Sequence, residues 1–180
     1  MELFARGKRS CIYREGKNIV KVERQDSTAI NRIENEAHWL QAVNKKKMGP
    51  KFLKIDQNKL YMEYIEGPNL EEYLKTHTKK EQKKILKQLL EQALILDSMK
   101  VNKLEMHRVT KNGIVRKNKL ILLDFERCKK TPNPKNVTQA CQFITKYFPS
   151  KELLQKAKRY KQSYDEKDYK ELQKCLTNIS

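Results

Sequence analysis

With 180 residues, the chain is long enough to bury a sizeable core as one compact domain or two small lobes. Hydrophobic residues make up 38% and charged residues 34%; this excludes wholesale disorder, no apolar run reaches the ~18 residues of a membrane span, and the N-terminal MELFARGKRS lacks the apolar core of a signal peptide, so a cytoplasmic protein is expected. The net charge of +18 favours polyanionic partners: nucleic acid, a ribosome surface or the phosphates of a nucleotide.

Taken in chain order, SCIYREGKNIVKVER (10–24) predicts a hairpin, with SCIY a short strand, EGKN a glycine-centred turn and IVKVE a strand of strong β-formers. DSTAINRIENEAHWLQAVNKKKMG opens with helix-capping types and spaces Ile30, Ile33, Ala37, Leu40 and Val43 as a helix, which Gly49-Pro50 stops. KFLKID and KLYMEYIEG are strands that turn at Gln57-Asn58. Asn69 caps a short helix, and a long amphipathic helix covers about 79–100, with Ile85, Leu86, Leu89, Leu90, Ala93, Leu94 and Leu96 on its apolar side. After an irregular stretch, NGIVRKNKLILLDFE predicts a second hairpin turning at Lys117-Asn118, and 137–148 and 150–175 are helical. The order ββαββ, α, α, β-hairpin, α, α describes an α+β chain whose β-rich and helical halves meet near residue 67.

Several chemistries find no support. Cys11, Cys128, Cys141 and Cys175 are scattered without a CxxC pair, which fits reduced thiols and leaves the sequons at Asn136 and Asn178 without a role. His38, His77 and His107 show no metal-ligand spacing. Basic clusters do recur, in NKKKMGPK, KKEQKKILK and KAKRYKQSY. The last interleaves Tyr160 and Tyr164 with cations, which suits RNA contact and equally a solvated helix with one tyrosine face.

The stretch KLILLDFER raises the sharpest question. Leu120 to Leu123 reads as a strand buried on both faces, and it runs directly into Asp124. A carboxylate there either opens a surface turn or holds a metal ion. Elsewhere, Lys21 lies between Val20 and Val22 inside a strand, and Glu34 and Glu36 lie on the next helix. A lysine on a strand, a glutamate on the following helix and an acid closing a later buried strand form the skeleton of a protein-kinase phosphate site.

On these residues the chain resembles the protein-kinase-like superfamily, and most closely the small atypical kinases near the RIO and KEOPS-complex groups, including short archaeal predicted serine/threonine kinases. VKVER is similar to the lysine strand, RIENEAHWL to helix C, MGPKFL and LYMEYIEGPNL to the run into the hinge, and LILLDFE to the DFG-type motif with Glu126 in place of glycine. The resemblance implies a truncated two-lobed fold of residues 1–180, with a small β-rich N-lobe of about 1–66 carrying one main helix, and a helical C-lobe of about 67–180.

It further implies an ATP-dependent phosphotransferase of serine/threonine kinase type, with ATP and Mg2+ as cofactors and a hydroxyl of a protein or small molecule as acceptor. Lys21 would hold the phosphates, and Glu36, in preference to Glu34, would orient Lys21. Met62 would lie deep in the nucleotide pocket, and the Glu63–Ile65 backbone would meet the adenine edge. Asn112 and Asp124 would hold Mg2+. The glycine-rich loop is reduced to Gly7 and Ser10, with Lys8 and Arg9 adding positive charge. In the catalytic loop Glu105 takes the base position, with Lys103 in place of the usual histidine and His107 as the alternative base. A nucleotide-binding pseudokinase acting as a basic RNA- or ribosome-associated protein is the alternative.

Overall fold

The computed structural model describes residues 1–7, 9–24 and 31–179. The expected capping residues of DSTA, the apolar Ile30 and the cationic Lys8 lie outside the described residues. The described chain is a mixed α+β fold with a five-stranded antiparallel sheet and six helices. It divides into two compact units, one made of Met1–Glu66 and Ile121–Cys128, the other of Gly67–Leu120 and Lys129–Ser180.

In the first unit the strands are β1 (Glu2–Arg6), β2 (Ser10–Glu15), β3 (Asn18–Glu23), β4 (Phe52–Asp56) and β5 (Lys59–Glu63), ordered β1-β2-β3-β5-β4. β3 is therefore central, and its Ile19, Val20 and Lys21 are all buried. Helix α1 (Arg32–Asn44) buries Ile33, Glu36, Ala37, Leu40 and Val43, a 3.6-residue stripe that contains one carboxylate. Its exit is set by Asn44, which donates to the carbonyls of Met48 and Pro50 and accepts the Phe52 N–H. Gly49 has φ +73, and a Cβ there would stand 3.0 Å from Leu40 Cδ1 and 3.1 Å from Phe125 Cε2, so both conformation and space require glycine.

β1 was not legible as a strand. It is an exposed edge with no inward apolar alternation, and Phe4 meets the Tyr64 ring edge-on, with centroids 5.6 Å apart. The strand at 119–122 is buried only at Leu120 and Leu122, whereas Ile121 and Leu123 are half-buried.

The second unit contains α2 (Leu70–Thr76), α3 (Lys79–Ser98), β6 (Val101–Asn102), a 3₁₀ turn at Met106–Arg108, β7 (Gly113–Arg116), β8 (Lys119–Leu122, which leads the chain into the first unit), β9 (Lys129–Lys130), α4 (Asn136–Ile144), α5 (Lys151–Ser163) and α6 (Glu166–Asn178). Capping boxes at Asn69/Glu72 and Thr78/Glu81 start α2 and α3. Gln88 and Gln92 of α3 bond to the backbone of Asn118 and Leu120 and so clip the β7–β8 hairpin. The stretch 150–175, expected as one helix, is two. Tyr164 takes the left-handed conformation at φ 52, and Asp165 caps α6.

A buried polar knot fixes the backbone of 101–103. Asn136, fully buried, donates to Asp97 Oδ1 at 2.7 Å and to the Val101 carbonyl at 2.6 Å, and accepts the Lys103 N–H at 2.8 Å. Asp97 also accepts the Asn136 and Val137 amides, supplying from α3 the N-terminal cap that Lys135 does not give α4.

Candidate functional site

Lys21 sits at the middle of β3, opposite Ile12 of β2 and Leu60 of β5. Its side chain is 8% exposed, so its charge must be met by anions within the protein. Nζ donates to Glu36 Oε2 at 2.6 Å and to Glu126 Oε2 at 3.0 Å, and Asp124 Oδ1 lies 3.7 Å away. Glu36 reaches Lys21 because it belongs to the core-facing stripe of α1, whereas Glu34 is exposed. The other oxygen of Glu36 accepts the Phe125 N–H at 3.3 Å. One carboxylate thereby ties β3 and α1 to the segment that carries Asp124.

That segment is held from several sides. Asp124 adopts φ 61, a region a non-glycine residue seldom occupies without outside support. Phe125 is buried next to it, with its ring against Gly49. Asn35 donates to the Glu126 carbonyl at 2.7 Å and to the Cys128 carbonyl at 3.2 Å, and its own oxygen accepts the Trp39 indole N–H at 3.0 Å. Arg32 donates to Glu126 Oε1 at 3.3 Å, and Arg9 approaches the same oxygen to 3.8 Å.

Three carboxylates and three cations therefore share one site. Burial pulls the Lys21 ammonium down, but Glu36, Asp124 and Glu126 together outweigh it, and the group ends well above its ordinary 10.5. Burial pushes Glu36 upward, and the neighbouring Asp124 and Glu126 add to this against the pull of Lys21.

One carboxylate oxygen from each of Glu36, Asp124 and Glu126 lies within 4.8 Å of the others, with Lys21 as a compensating cation. Asp124 Oδ1 is sealed from solvent and accepts no hydrogen bond among the described residues. A dry, acceptor-only oxygen of this kind fits a hard cation such as Mg2+.

The other expected residues fall as follows. Gly7 and Ser10 close the β1–β2 turn, with the Gly7 N–H donating to the Ser10 carbonyl at 2.9 Å. Met62 is half-buried on β5 between Ile19 and Phe52. The amides of Glu63 and Tyr64 already donate to the carbonyls of Lys51 and Lys17, and Ile65 is buried. Two donors of the segment expected at the adenine edge are thus engaged in the sheet.

Glu105, His107 and Asn112 belong to the second unit. Glu105 is exposed at φ 70 just before the 3₁₀ turn, and His107 is half-buried with its carbonyl accepting Lys146 Nζ at 3.0 Å. The Asn112 amide donates to the Val109 carbonyl at 3.1 Å, and Lys103 is buried. Tyr160 is buried and packs against Tyr164 and Tyr169, while the Tyr164 hydroxyl donates to the Pro134 carbonyl. Tyr160 is thus part of the helical core, whereas Tyr164 is half-buried with Lys100 and Lys161 over its ring.

Arg32, Asn35 and the pairing of Glu126 with Lys21 escape a sequence reading. The i, i+4 spacing of Arg32 and Glu36 places both on one face of α1 and is the signal that could have found Arg32. The Glu126 pairing spans 105 residues and leaves no local trace.

No model of a protein family matches the chain, and no curated protein matches it. Solved structures do. WbdD, solved with the kinase inhibitor LY294002, is similar over 97% of this chain with a TM-score of 0.68 and 17% sequence identity. The fold is kinase-like. The chain spans 45% of that WbdD chain. No helix among the described residues is long and apolar enough to cross a membrane.

Proposed function

We propose that the protein is a Mg2+- and ATP-dependent phosphotransferase of atypical serine/threonine kinase type, with Lys21, Glu36 and Asp124 as its phosphate and metal machinery. The observation that carries this reading is the buried Lys21–Glu36 pair beside the orphaned Asp124 oxygen. Buried, mutually perturbed ionisable groups of this kind gather where charge must be handled. The kinase-like fold and the inhibitor bound to its structural neighbour support the choice of a nucleotide as ligand.

In this reading Lys21 is an ammonium at every physiological pH and offers its donors to nucleotide phosphate oxygens. Glu36 keeps it directed into the site, and the Glu36–Phe125 bond sets the approach of Asp124. Asp124 would hold the metal, with Asn112 as the second ligand that the resemblance implies, and the metal would supply charge neutralisation for phosphoryl transfer. Gly7 and Ser10 border the phosphates, and Met62, Glu63 and Ile65 line the base pocket. Glu105, or else His107, receives the proton of the acceptor hydroxyl. The acceptor is a hydroxyl on a protein or small molecule, and the +18 charge suits an acceptor held in an anionic assembly such as RNA or a ribosome.

The test is ATP turnover with Mg2+ by wild type and Asp124→Asn, read as γ-phosphate transfer to the protein itself, to water or to a supplied hydroxyl substrate. Turnover that Asp124→Asn abolishes is the expected result. Equal turnover in both proteins would contradict the assignment.

A further inference from the structure

Three cations from three parts of the first unit converge on the side chain of Glu126. Lys21 of β3 donates to its Oε2 at 3.0 Å, Arg32 at the start of α1 donates to its Oε1 at 3.3 Å, and Arg9, ahead of β2, lies 3.8 Å from that same oxygen. The Glu126 side chain is 11% exposed, so its carboxylate fills a nearly closed cationic cradle. Cradles of this charge and geometry suit a phosphate, which offers more oxygens than a carboxylate to fork-shaped guanidinium donors.

We propose that Glu126 is the internal counter-anion of a polyphosphate-binding cradle formed by Arg9, Lys21 and Arg32, and that a nucleotide's phosphate tail enters by displacing its carboxylate. The inference rests on the phosphate role given to Lys21 above. It adds two further ligand groups and names what occupies the cradle before the nucleotide arrives.

Of the two acids bonded to Lys21, Glu126 is the one built to leave. Both acids have both oxygens engaged, but Glu36 sits on a helix, is the more deeply buried of the two, and ties Lys21 to the Phe125 N–H. Glu126 sits at a turn, and its bond to Lys21 is the longer, 3.0 Å against 2.6 Å. Its backbone is pinned separately, through Asn35 on the Glu126 and Cys128 carbonyls. The side chain can therefore rotate away while Asp124 stays in place. Arg32 supplies an independent sign of an absent acceptor. Its Nε is buried and makes no hydrogen bond among the described residues, although its terminal nitrogen holds Glu126. An entering phosphate oxygen satisfies that donor.

The experiment is a metal-free calorimetric titration of inorganic tripolyphosphate into wild type, Glu126→Gln and Arg32→Gln at low ionic strength, with a parallel titration of Mg-ATP. Glu126→Gln, which keeps the side-chain volume and removes the charge, is expected to bind tripolyphosphate about tenfold more tightly, equivalent to ~1.4 kcal/mol. Arg32→Gln is expected to bind it about tenfold more weakly. Equal or weaker binding by Glu126→Gln overturns the proposal, and so does unchanged binding by Arg32→Gln, which decides the matter alone if Glu126→Gln fails to fold. If wild type binds Mg-ATP but Glu126→Gln gains nothing, the displaced counter-anion falls and the nucleotide site stands. If neither protein binds ATP or tripolyphosphate, both readings fall.

Discussion

Glu36 accepts from Lys21 Nζ at 2.6 Å with one oxygen and from the Phe125 amide at 3.3 Å with the other, so the residue that orients the lysine also sets the segment carrying Asp124. The two contacts give the site a single pivot. The same geometry makes Lys21 a structural necessity, because it is the cation at the centre of three acids.

Lys21→Met leaves Glu36 buried beside Asp124 and Glu126 without its cation. Breaking a buried pair in this way costs about 3–5 kcal/mol at neutral pH. The loss is expected to shrink in acid. The Glu36 carboxyl already lies above its ordinary 4.5 in the folded protein, so folding favours its neutral form. That contribution is fully present below 4.5 and is lost as pH rises through the folded value. Removing Lys21 raises the folded value further and lets protonation neutralise the group. Urea denaturation at pH 5 and pH 7.5 checks this, and a destabilisation independent of pH would contradict it.

Gly49→Ala is expected to destabilise by about 2–3 kcal/mol, from the positive φ together with a Cβ forced against Leu40 and Phe125. Displacing Phe125 also disturbs Asp124. Mg-ATP affinity, measured under conditions where the variant remains folded, is therefore expected to fall. A variant that is destabilised but binds with unchanged affinity would uncouple Phe125 from the site.

Much of this was legible in the sequence, and the reasons are specific. The apolar spacing of Ile33, Ala37, Leu40 and Val43 announces α1, whereas the choice of Glu36 over Glu34 comes from the kinase resemblance, and the structure places Glu36 on the buried stripe. Asn69 and Thr78 announce their helices through complete capping boxes. β1 gave no signal, because an edge strand exposed along its whole length carries no two-residue alternation. The break at Tyr164 was hidden by the helical periodicity on both sides, although SYDEKD holds the Asp165 cap that marks a new start. Within the site, Lys21, Glu36 and Asp124 could be read from type and order. The ion pairs of Arg9 and Arg32 with Glu126 reach across the chain, and no local pattern encodes them.

Asn136→Ala removes three buried hydrogen bonds at once and strands the Lys103 N–H and the Val101 carbonyl, while Asp97 Oδ1 keeps the backbone N–H of residue 136. A loss of about 3 kcal/mol is expected. Because the knot fixes the backbone entering the 103–112 segment, turnover is expected to fall more than Mg-ATP affinity. Parallel denaturation, binding and turnover measurements separate these effects.

Asp97 adds its own pH signature. Burial raises its carboxyl above the ordinary 3.8 against the opposing hydrogen bonds of Asn136, Val137 and Tyr160. The folded state thus binds the proton more tightly than the unfolded one. The contribution is fully present below 3.8 and is lost as pH rises through the folded value. The stability of wild type minus that of Asp97→Asn is therefore expected to decline as pH rises from 3 to 7. A difference that grows with pH would reverse the assignment.

In the proposed function, Lys21, Glu36 and Asp124 form a Mg-nucleotide site. Calorimetric titration of ATP with and without Mg2+, on wild type and Asp124→Ala side by side, tests it most directly. Binding by wild type that Mg2+ strengthens and that Asp124→Ala loses is the expected result. Equal binding by the two proteins, or no binding by wild type with Mg2+ present, would contradict it.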